Sequence, residues 1–503
     1  MEHRRKSISE GLQHGVRRIS EGFLHMTNAD RMLDLHDIGM HNVQSEYQLV
    51  SKWDEAEEAL GRGGRKKSFV ERKEKISSKF ALINLMKGML GAGCFSVPLA
   101  FKQSGYVVSF RDYCSFYPSF LGWTRYHSGF GFPMCFVYDK LVKCAGYLSK
   151  INQSAPLDYG NMAYKATQAS YTPIRKLAPI SRALVNTSLC VLQLGICCCF
   201  YIFVVYHLHE LLEFFMNDVP SRAALFPMVL PAFILLVSLS SMRALSLVSL
   251  GGNFLMLIAL AVIMFQLLTT EHKKLSDLPP VTDLGGVVSA AGAILYALEG
   301  QAMVLPLENR MKKPEDMKGP FGVLSLGVGM VVVIYSFAGF FGFLAYGNDV
   351  QDSITLNLPN DHLGIFVKAV LLFVVYSGFL IQVFPIVAMI WPAIKKKLRN
   401  SCGVSTTTKR IVHFAFRYSI VVVVFLLSYA IPRLSDMVPL VGVTAGMLLA
   451  LVFPSLFHLL IFLPQFECRI GFLFDILLDI VCIVIGMFFV IYGFITNVHH
   501  LMR

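Results

Sequence analysis

Two glycine-rich stretches set within long apolar runs are where this sequence has the residue types for membrane chemistry. The first reads Asn84-Leu85-Met86-Lys87-Gly88-Met89-Leu90-Gly91-Ala92-Gly93-Cys94-Phe95-Ser96-Val97-Pro98. Three glycines and a proline within eleven residues are poor helix-forming chemistry. In a bilayer, freed backbone groups are tolerated only where they line a cavity. Secondary transporters exploit such a break, because a half-helix end offers free amides to an anionic substrate group. The competing reading is close helix packing through small residues. Gly88 and Gly91 suit packing alone, whereas Gly93 and Pro98 favour an unwound segment.

The second stretch, Tyr296-Ala297-Leu298-Glu299-Gly300-Gln301-Ala302-Met303-Val304-Leu305-Pro306, has the same character and adds a carboxylate. An ionisable residue inside a membrane span is costly and marks an ion or proton path. Burial disfavours the charged form of a carboxyl, so Glu299 is suited to load and release a proton. The blander reading is a structural glutamate paired with another helix. Lys87 is the less specific intramembrane charge, since a lysine can snorkel to the interface.

The elements that must position these stretches are membrane spans. Hydrophobic residues make up 55% of the chain and charged residues 16%, against about half and a quarter in soluble domains. Seven segments are free of Asp, Glu, Lys and Arg: 183–209, 223–242, 244–270, 319–348, 369–394, 437–466 and 480–502. Each reaches the roughly 20 residues a helix needs to cross hydrocarbon. Three more, 80–101, 284–307 and 411–432, carry one charge each (Lys87, Glu299 and Arg417). Hydropathy therefore predicts ten spans.

Residues 1–78 are polar and charged and read as a disordered cytosolic tail, ahead of a membrane domain over 79–500. Ser7, Ser9 and Ser20 follow paired arginines, a pattern basophilic kinases prefer, although a solvated basic tail has the same composition. Tyr47-Gln48-Leu49-Val50 has the tyrosine-x-x-apolar form read by endocytic adaptors. The first apolar segment begins only near residue 80, so no signal peptide is read. Eleven cysteines lie mostly in or beside apolar helices, which argues against a disulfide framework.

Residues 1–79 carry fifteen Lys or Arg, which places the N-terminus in the cytosol. The loops 140–182, 243, 310–318, 395–410 and 469 together hold nineteen, and those around 222, 273–274, 349–368 and 433 hold five. The two classes alternate, but they agree with the tail only if the chain crosses once between residues 102 and 139. That segment resists the demand. Its charges include Arg111, Asp112 and Arg125, and each costs about 2.5–3.5 kcal/mol near a helix centre. Residues 109–139 thus read as an atypical segment in place of a second helix, of the kind a non-standard exon or retained intron would encode. With that crossing counted, the two interrupted helices are the first and sixth, as an inverted five-plus-five repeat requires.

These residues resemble the amino acid/auxin permease family, and within it the animal proton-coupled amino-acid transporters. The resemblance covers roughly 79–108 and 140–500. Its most specific pieces are Asn84 to Phe101, Tyr296 to Asn309, and Gly342-Phe343-Leu344-Ala345-Tyr346-Gly347-Asn348 running into Ser353–Pro359. Gln193-Leu194-Gly195 with Cys197-Cys198, and Ile431-Pro432 with Leu440-Val441-Gly442, add to it. The resemblance implies an all-α polytopic membrane protein with a LeuT-like inverted 5+5 repeat plus one extra helix, about eleven in all. It implies symport of protons with small neutral amino acids such as glycine, alanine or proline. No cofactor beyond the co-transported proton is implied, and the membrane is plasma or endolysosomal. Substrate would lie against Gly91, Ala92, Gly93, Tyr296 and Gly300, with Gln193 and Tyr201 from the third helix. Relatives often carry histidine at the position of Asn84, so coupling would fall to Glu299 with Asn84 beside it. The family's usual third-helix tyrosine falls at Phe200, next to Tyr201.

Other classes fit less well. His209-Glu210-Leu211-Leu212-Glu213 imitates half of a zinc-protease helix but lacks the second histidine, so an enzyme is not indicated. The net charge of +12 is accounted for by tail and loops and calls for no nucleic acid. A single intramembrane glutamate without a filter-like run favours a carrier over a channel. The alternative kept open is an amino-acid sensor at an endolysosomal membrane that transports weakly or not at all.

Overall fold

A computed structural model describes residues 76–109, 134–151, 157–238, 242–319, 321–400, 406–465 and 470–502. Ser7, Ser9, Ser20 and Tyr47 lie outside them, as does most of the 109–139 segment. The chain divides into two units. The larger, residues 75–239 and 255–503, holds the contacts discussed below. The smaller contributes, among described residues, only the helical stretch 242–254.

The described residues are almost entirely helical. In chain order the helices are α1 (Ser78–Met89), α2 (Val97–Ser104), α3 (Met134–Ile151), α4 (Tyr159–Ala169) and α5 (Ala178–Phe215). Then come α6 (Arg222–Ser238), α7 (Met242–Thr269), α8 (Leu284–Ala297), α9 (Gln301–Glu308) and α10 (Val323–Tyr346). The last are α11 (His362–Asn400), α12 (Thr406–Ala430), α13 (Leu434–Val441), α14 (Phe453–Phe462) and α15 (Ile470–Leu501). All ten expected spans are present. Among the described residues, six helical segments are each long and apolar enough to cross a bilayer, and Arg222–Ser238, Phe254–Thr269 and Leu284–Ala297 are shorter apolar helices.

The segment 140–182, read above as a loop, is mostly helical. Asp139 and Lys140 sit inside α3, whose Tyr138, Leu141, Val142, Cys144 and Leu148 are buried. Asp158 caps α4, accepting from the Asn161 amide at 2.6 Å, and so starts a second helix at once. A basic stretch seen as a run of charges thus hides a period-of-four apolar face. The folded region also begins slightly earlier than expected, since Ile76 bridges Met311.

Backbone contacts fix which segments share a membrane face. Ile76 exchanges hydrogen bonds with Arg310 and Lys312, and the Ser78 hydroxyl donates to Asp316 at 2.6 Å. On the opposite face, the Val107 amide reaches the Pro280 carbonyl, and Lys102 donates to the Val350 carbonyl at 2.9 Å. Leu157 returns to the first face, its carbonyl accepting from Asn309. The chain therefore crosses between Ser109 and Leu157, as charge alternation demands. Helix α3, about 27 Å long at 1.5 Å per residue, supplies much of that passage. Counting it, the interrupted spans α1–α2 and α8–α9 are the first and sixth of eleven.

Helix α5 is the centre of the bundle, packed against α4, α6, α11, α12 and α13. In its most apolar stretch 72% of residues are buried, against 17% in α15. A helix apolar on every side belongs in the interior, whereas α15 presents much of its surface outward. Within a bilayer, helices associate through close packing and not through expulsion of water. The closest approach is between α8 and the span α13–α14. That span widens to π-helical turns at Gly442–Gly446 and Leu448–Val452. A Cβ on Gly442 would collide with the backbone of Gly292.

Because backbone and not a flexible side chain blocks that space, Gly442→Leu should exceed the ~1–3 kcal/mol typical of overpacking. The expected result is loss of monodisperse protein on fluorescence-detected size exclusion. A wild-type profile would show that the two helices separate readily.

Candidate functional site

Both glycine-rich stretches break their helices. Helix α1 ends at Met89. Leu90 (φ −73°, ψ 95°) and Gly91 (φ −138°, ψ −170°) are extended, and Ala92–Ser96 form a 3-10 turn that leads into α2. Pro98 occupies the second position of α2, where its missing N–H is not needed. Helix α8 ends at Ala297, and α9 restarts at Gln301 after Leu298, Glu299 and Gly300.

The two breaks face each other. A Cβ on Gly93 would lie 2.8 Å from Ala297 Cα and 3.5 Å from the Tyr296 ring. One on Gly300 would lie 3.0 Å from Met89 Cγ. Only glycine at these positions lets the two interrupted strands of chain come so close. At Gly91 the same construction meets nothing within 4 Å, so the first break opens onto free space.

A third helix completes the first break. The Tyr335 hydroxyl, midway along α10, donates to the Met89 carbonyl at 2.7 Å and accepts from the Gly91 amide at 3.3 Å. One side chain thereby satisfies a donor and an acceptor that the helix gave up. Around it, Phe95 stacks on Phe203 of α5 with centroids 6.3 Å apart, and Tyr296 is in hydrogen-bonding contact with Cys199 of α5.

Several polar atoms here are buried without a partner: Glu299 Oε1 at the second break, Asn84 Nδ2 on α1 and Gln193 Oε1 on α5. Buried polar atoms are nearly always paired, so each orphan calls for a ligand, an ion or water.

The structure thus brings together Gly91, Ala92, Gly93, Tyr296, Glu299 and Gly300. Asn84 lies earlier on α1, between a buried Ala81 and a buried Leu85, and Gln193 is buried on α5. Tyr201 is elsewhere. Its hydroxyl donates to the Phe226 carbonyl at 2.6 Å, and its ring stacks on Phe233 at 4.6 Å and lies 6.2 Å from Phe425. It therefore joins α5 to α6 and α12 and does not reach the breaks. Phe200 rests against Gly378 of α11.

Sequence reading passed over Tyr335, Cys199 and Phe203. The signal for Tyr335 was present but slight: a tyrosine at the middle of an apolar span, away from the interfaces where tyrosine usually sits. Glu210, noted only as part of a false zinc motif, pairs with buried Lys368 of α11 at 2.8 Å. Lys368 also donates to the Leu358 carbonyl and the Asn360 side chain, and His207 lies 2.7 Å from the Thr355 hydroxyl. These contacts hold the 353–360 segment against the end of α5.

Two helix breaks packed against each other within a helical membrane bundle, one of them holding an unpartnered carboxyl oxygen, are the architecture of a membrane transport protein. The chain belongs to the family described as transmembrane amino acid transporter protein, whose model matches residues 74–498. It is 30% identical over 436 residues to the probable amino acid transporter skat-1 of Caenorhabditis elegans, covering 85% of this chain and 91% of that one. It is 28% identical over 386 residues to the proton-coupled amino acid transporter-like protein pathetic of Drosophila melanogaster, covering 76% of each. Among solved structures, a Na+-coupled sialic acid symporter in a substrate-bound, outward-open state aligns over 83% of this chain and 96% of its own. There the identity is 12% and the TM-score 0.39, too slight to bear on function.

Tyr335→Phe removes both hydrogen bonds at the first break and leaves the ring in place. At about 1 kcal/mol per bond, with more for groups left unsatisfied, a loss of roughly 1–3 kcal/mol is expected. It should lower the thermal unfolding midpoint and weaken amino-acid binding together. Unchanged values for both would mean the break is held by other contacts.

Proposed function

We propose that this chain is a secondary active symporter that couples protons to small neutral amino acids of the glycine, alanine and proline type. The observations carrying this reading are the open space at Gly91 in the first break and, in the second break that packs against it, a buried carboxyl oxygen of Glu299 without a partner. A substrate carboxylate suits the free backbone of the first break, as in other broken-helix carriers. The close fit of Gly93 against Ala297 and Tyr296, with Phe95 and Phe203 behind, favours a small side chain. The name of the Drosophila relative supports protons as the coupled ion. Glu299 is the proton-carrying group in this reading, and Asn84, Gln193 and Gly300 support the substrate or its water.

Purified protein in liposomes with an imposed inward proton gradient should accumulate glycine, alanine or proline. Glu299→Gln should abolish gradient-driven accumulation, lowering it by an order of magnitude or more. Wild-type coupled uptake in that variant would remove Glu299 from the mechanism. Binding without flux in the wild type would favour a sensor instead.

The membrane in this reading is plasma or endolysosomal, with the N-terminal tail and residues 309–318 in the cytosol. Tyr171 and Val281 are exposed, at 48% and 54%, on opposite faces. In intact cells with the protein at the surface, an impermeant thiol reagent should label Val281→Cys and spare Tyr171→Cys. The reverse pattern would invert the topology.

A further inference from the structure

A second ionisable cluster lies inside the bundle, built from groups that the Gly91–Glu299 site does not use. Lys140 of α3, His458 of α14 and Asp479 of α15 meet around one carboxylate. Asp479 Oδ1 takes the Lys140 ammonium, and Oδ2 lies 2.6 Å from His458 Nδ1. Lys140 is 2% exposed and Asp479 fully buried. Asp479 lies nine residues after Ile470, about 13 Å into its helix and directly before the uncharged run 480–502. Lys140 is six residues before Gly146, beside which the Lys318 ammonium lies. The cluster is therefore nearer the face that carries residues 309–318.

Three observations separate it from an ordinary packing contact. Charges buried this fully are expensive, and apolar residues of similar size commonly serve a helix seam as well or better. Each group comes from a different helix. Helix α3 packs on α9 and α10, the second half of one broken span and the helix that braces the other. Helix α14 continues the π-helical span that packs on α8, and such widened turns recur at functional sites. The third observation is the chemistry of the partners. Asp479 is shared by Lys140 and His458, so a proton added to His458 sets a second cation against that carboxylate and loosens its hold on Lys140. Histidine is the side chain whose charge changes between about pH 5 and 8.

We propose that Lys140, His458 and Asp479 form a proton-binding site distinct from Glu299. Its occupancy sets how tightly α3 is held to α14 and α15, and through α9 and α10 it reaches the two breaks. The ligand is a proton from the side of residues 309–318. Among the described residues, the other charged and titratable groups around the cluster include Asp139, Lys143 and Cys144 on α3, Tyr159 on α4, Glu308 on α9, Asp475 and Cys482 on α15, and Lys318. Of these, Lys143 is itself paired with Asp139 at 2.6 Å. The flux part of the proposal rests on the carrier reading; the proton-binding part does not.

The test uses full-length protein and two readouts. In detergent, the thermal unfolding midpoint of wild type and His458→Gln is followed from about pH 5 to 8. In liposomes, amino-acid flux is measured with the pH of the 309–318 side clamped across the same range. Wild type should show a pH-dependent midpoint and a several-fold change in flux. His458→Gln should reduce the pH dependence of both to the part that Glu299 supplies, while Glu299→Gln keeps the His458-dependent part of the midpoint. Lys140→Met combined with Asp479→Leu replaces the ionic seam by an apolar one. It should fold and be as insensitive as His458→Gln, which guards against a histidine variant that merely unfolds. Wild-type pH profiles in His458→Gln, or in the apolar double variant, would overturn the site. A wild type without flux, but with a midpoint that responds to pH only when His458 is present, would refute the carrier reading and leave the site standing.

Discussion

A backbone N–H or C=O left without a partner in hydrocarbon costs several kcal/mol, and the arrangement of this bundle follows from that. Helix α1 stops at Met89 and the chain runs extended through Gly91, which frees a carbonyl and an amide at mid-membrane. Tyr335 takes both with one hydroxyl. That places α10 against α1 and α2 and leaves the far side of Gly91 open. The break persists because its polar groups are answered on one side and available to a ligand on the other.

Close approach is the second requirement, and glycine supplies it at two levels of the bundle. Gly93 lets the first break touch Ala297 at the edge of the second. Further along α8, Gly292 and Gly442 bring two backbones into contact, anchoring α8 to the π-helical span. Helix α5 runs through the middle, offering Cys199 and Phe203 to the breaks and Tyr201 to the opposite helices. One helix thus reads two environments a hundred degrees apart per residue.

Three of the buried charged sites among the described residues differ in how they are partnered. Glu210 and Lys368 pair at the end of α5 and, with Asn360, fix the segment between α10 and α11. Lys140, Asp479 and His458 share one carboxylate near the other face. Glu299, by contrast, has a carboxyl oxygen with no partner. Paired charges in a low-dielectric interior are tied to the geometry that pairs them, whereas an orphan invites exchange with a ligand or proton.

Much of this was legible in the chain itself. Uncharged length determined the ten spans, since a helix must be apolar for about 20 residues to cross. Glycine and proline density located both breaks, because propensity acts within a single turn. Charge alternation demanded the extra crossing. It did not reveal α3, whose Asp139, Lys140 and Lys143 argue against a buried helix until Asp479 is placed beside them. Tyr335, Cys199 and the His458 cluster were equally silent. Each owes its meaning to a partner far away in sequence (246 residues separate Tyr335 from Met89, and 339 separate Lys140 from Asp479). Periodicity and composition are local properties. They told where the first break at Gly91 falls and that Glu299 is an intramembrane carboxylate. Which hydroxyl answers that break, and which buried charges find a counter-ion, is a matter of distances that only the folded bundle sets.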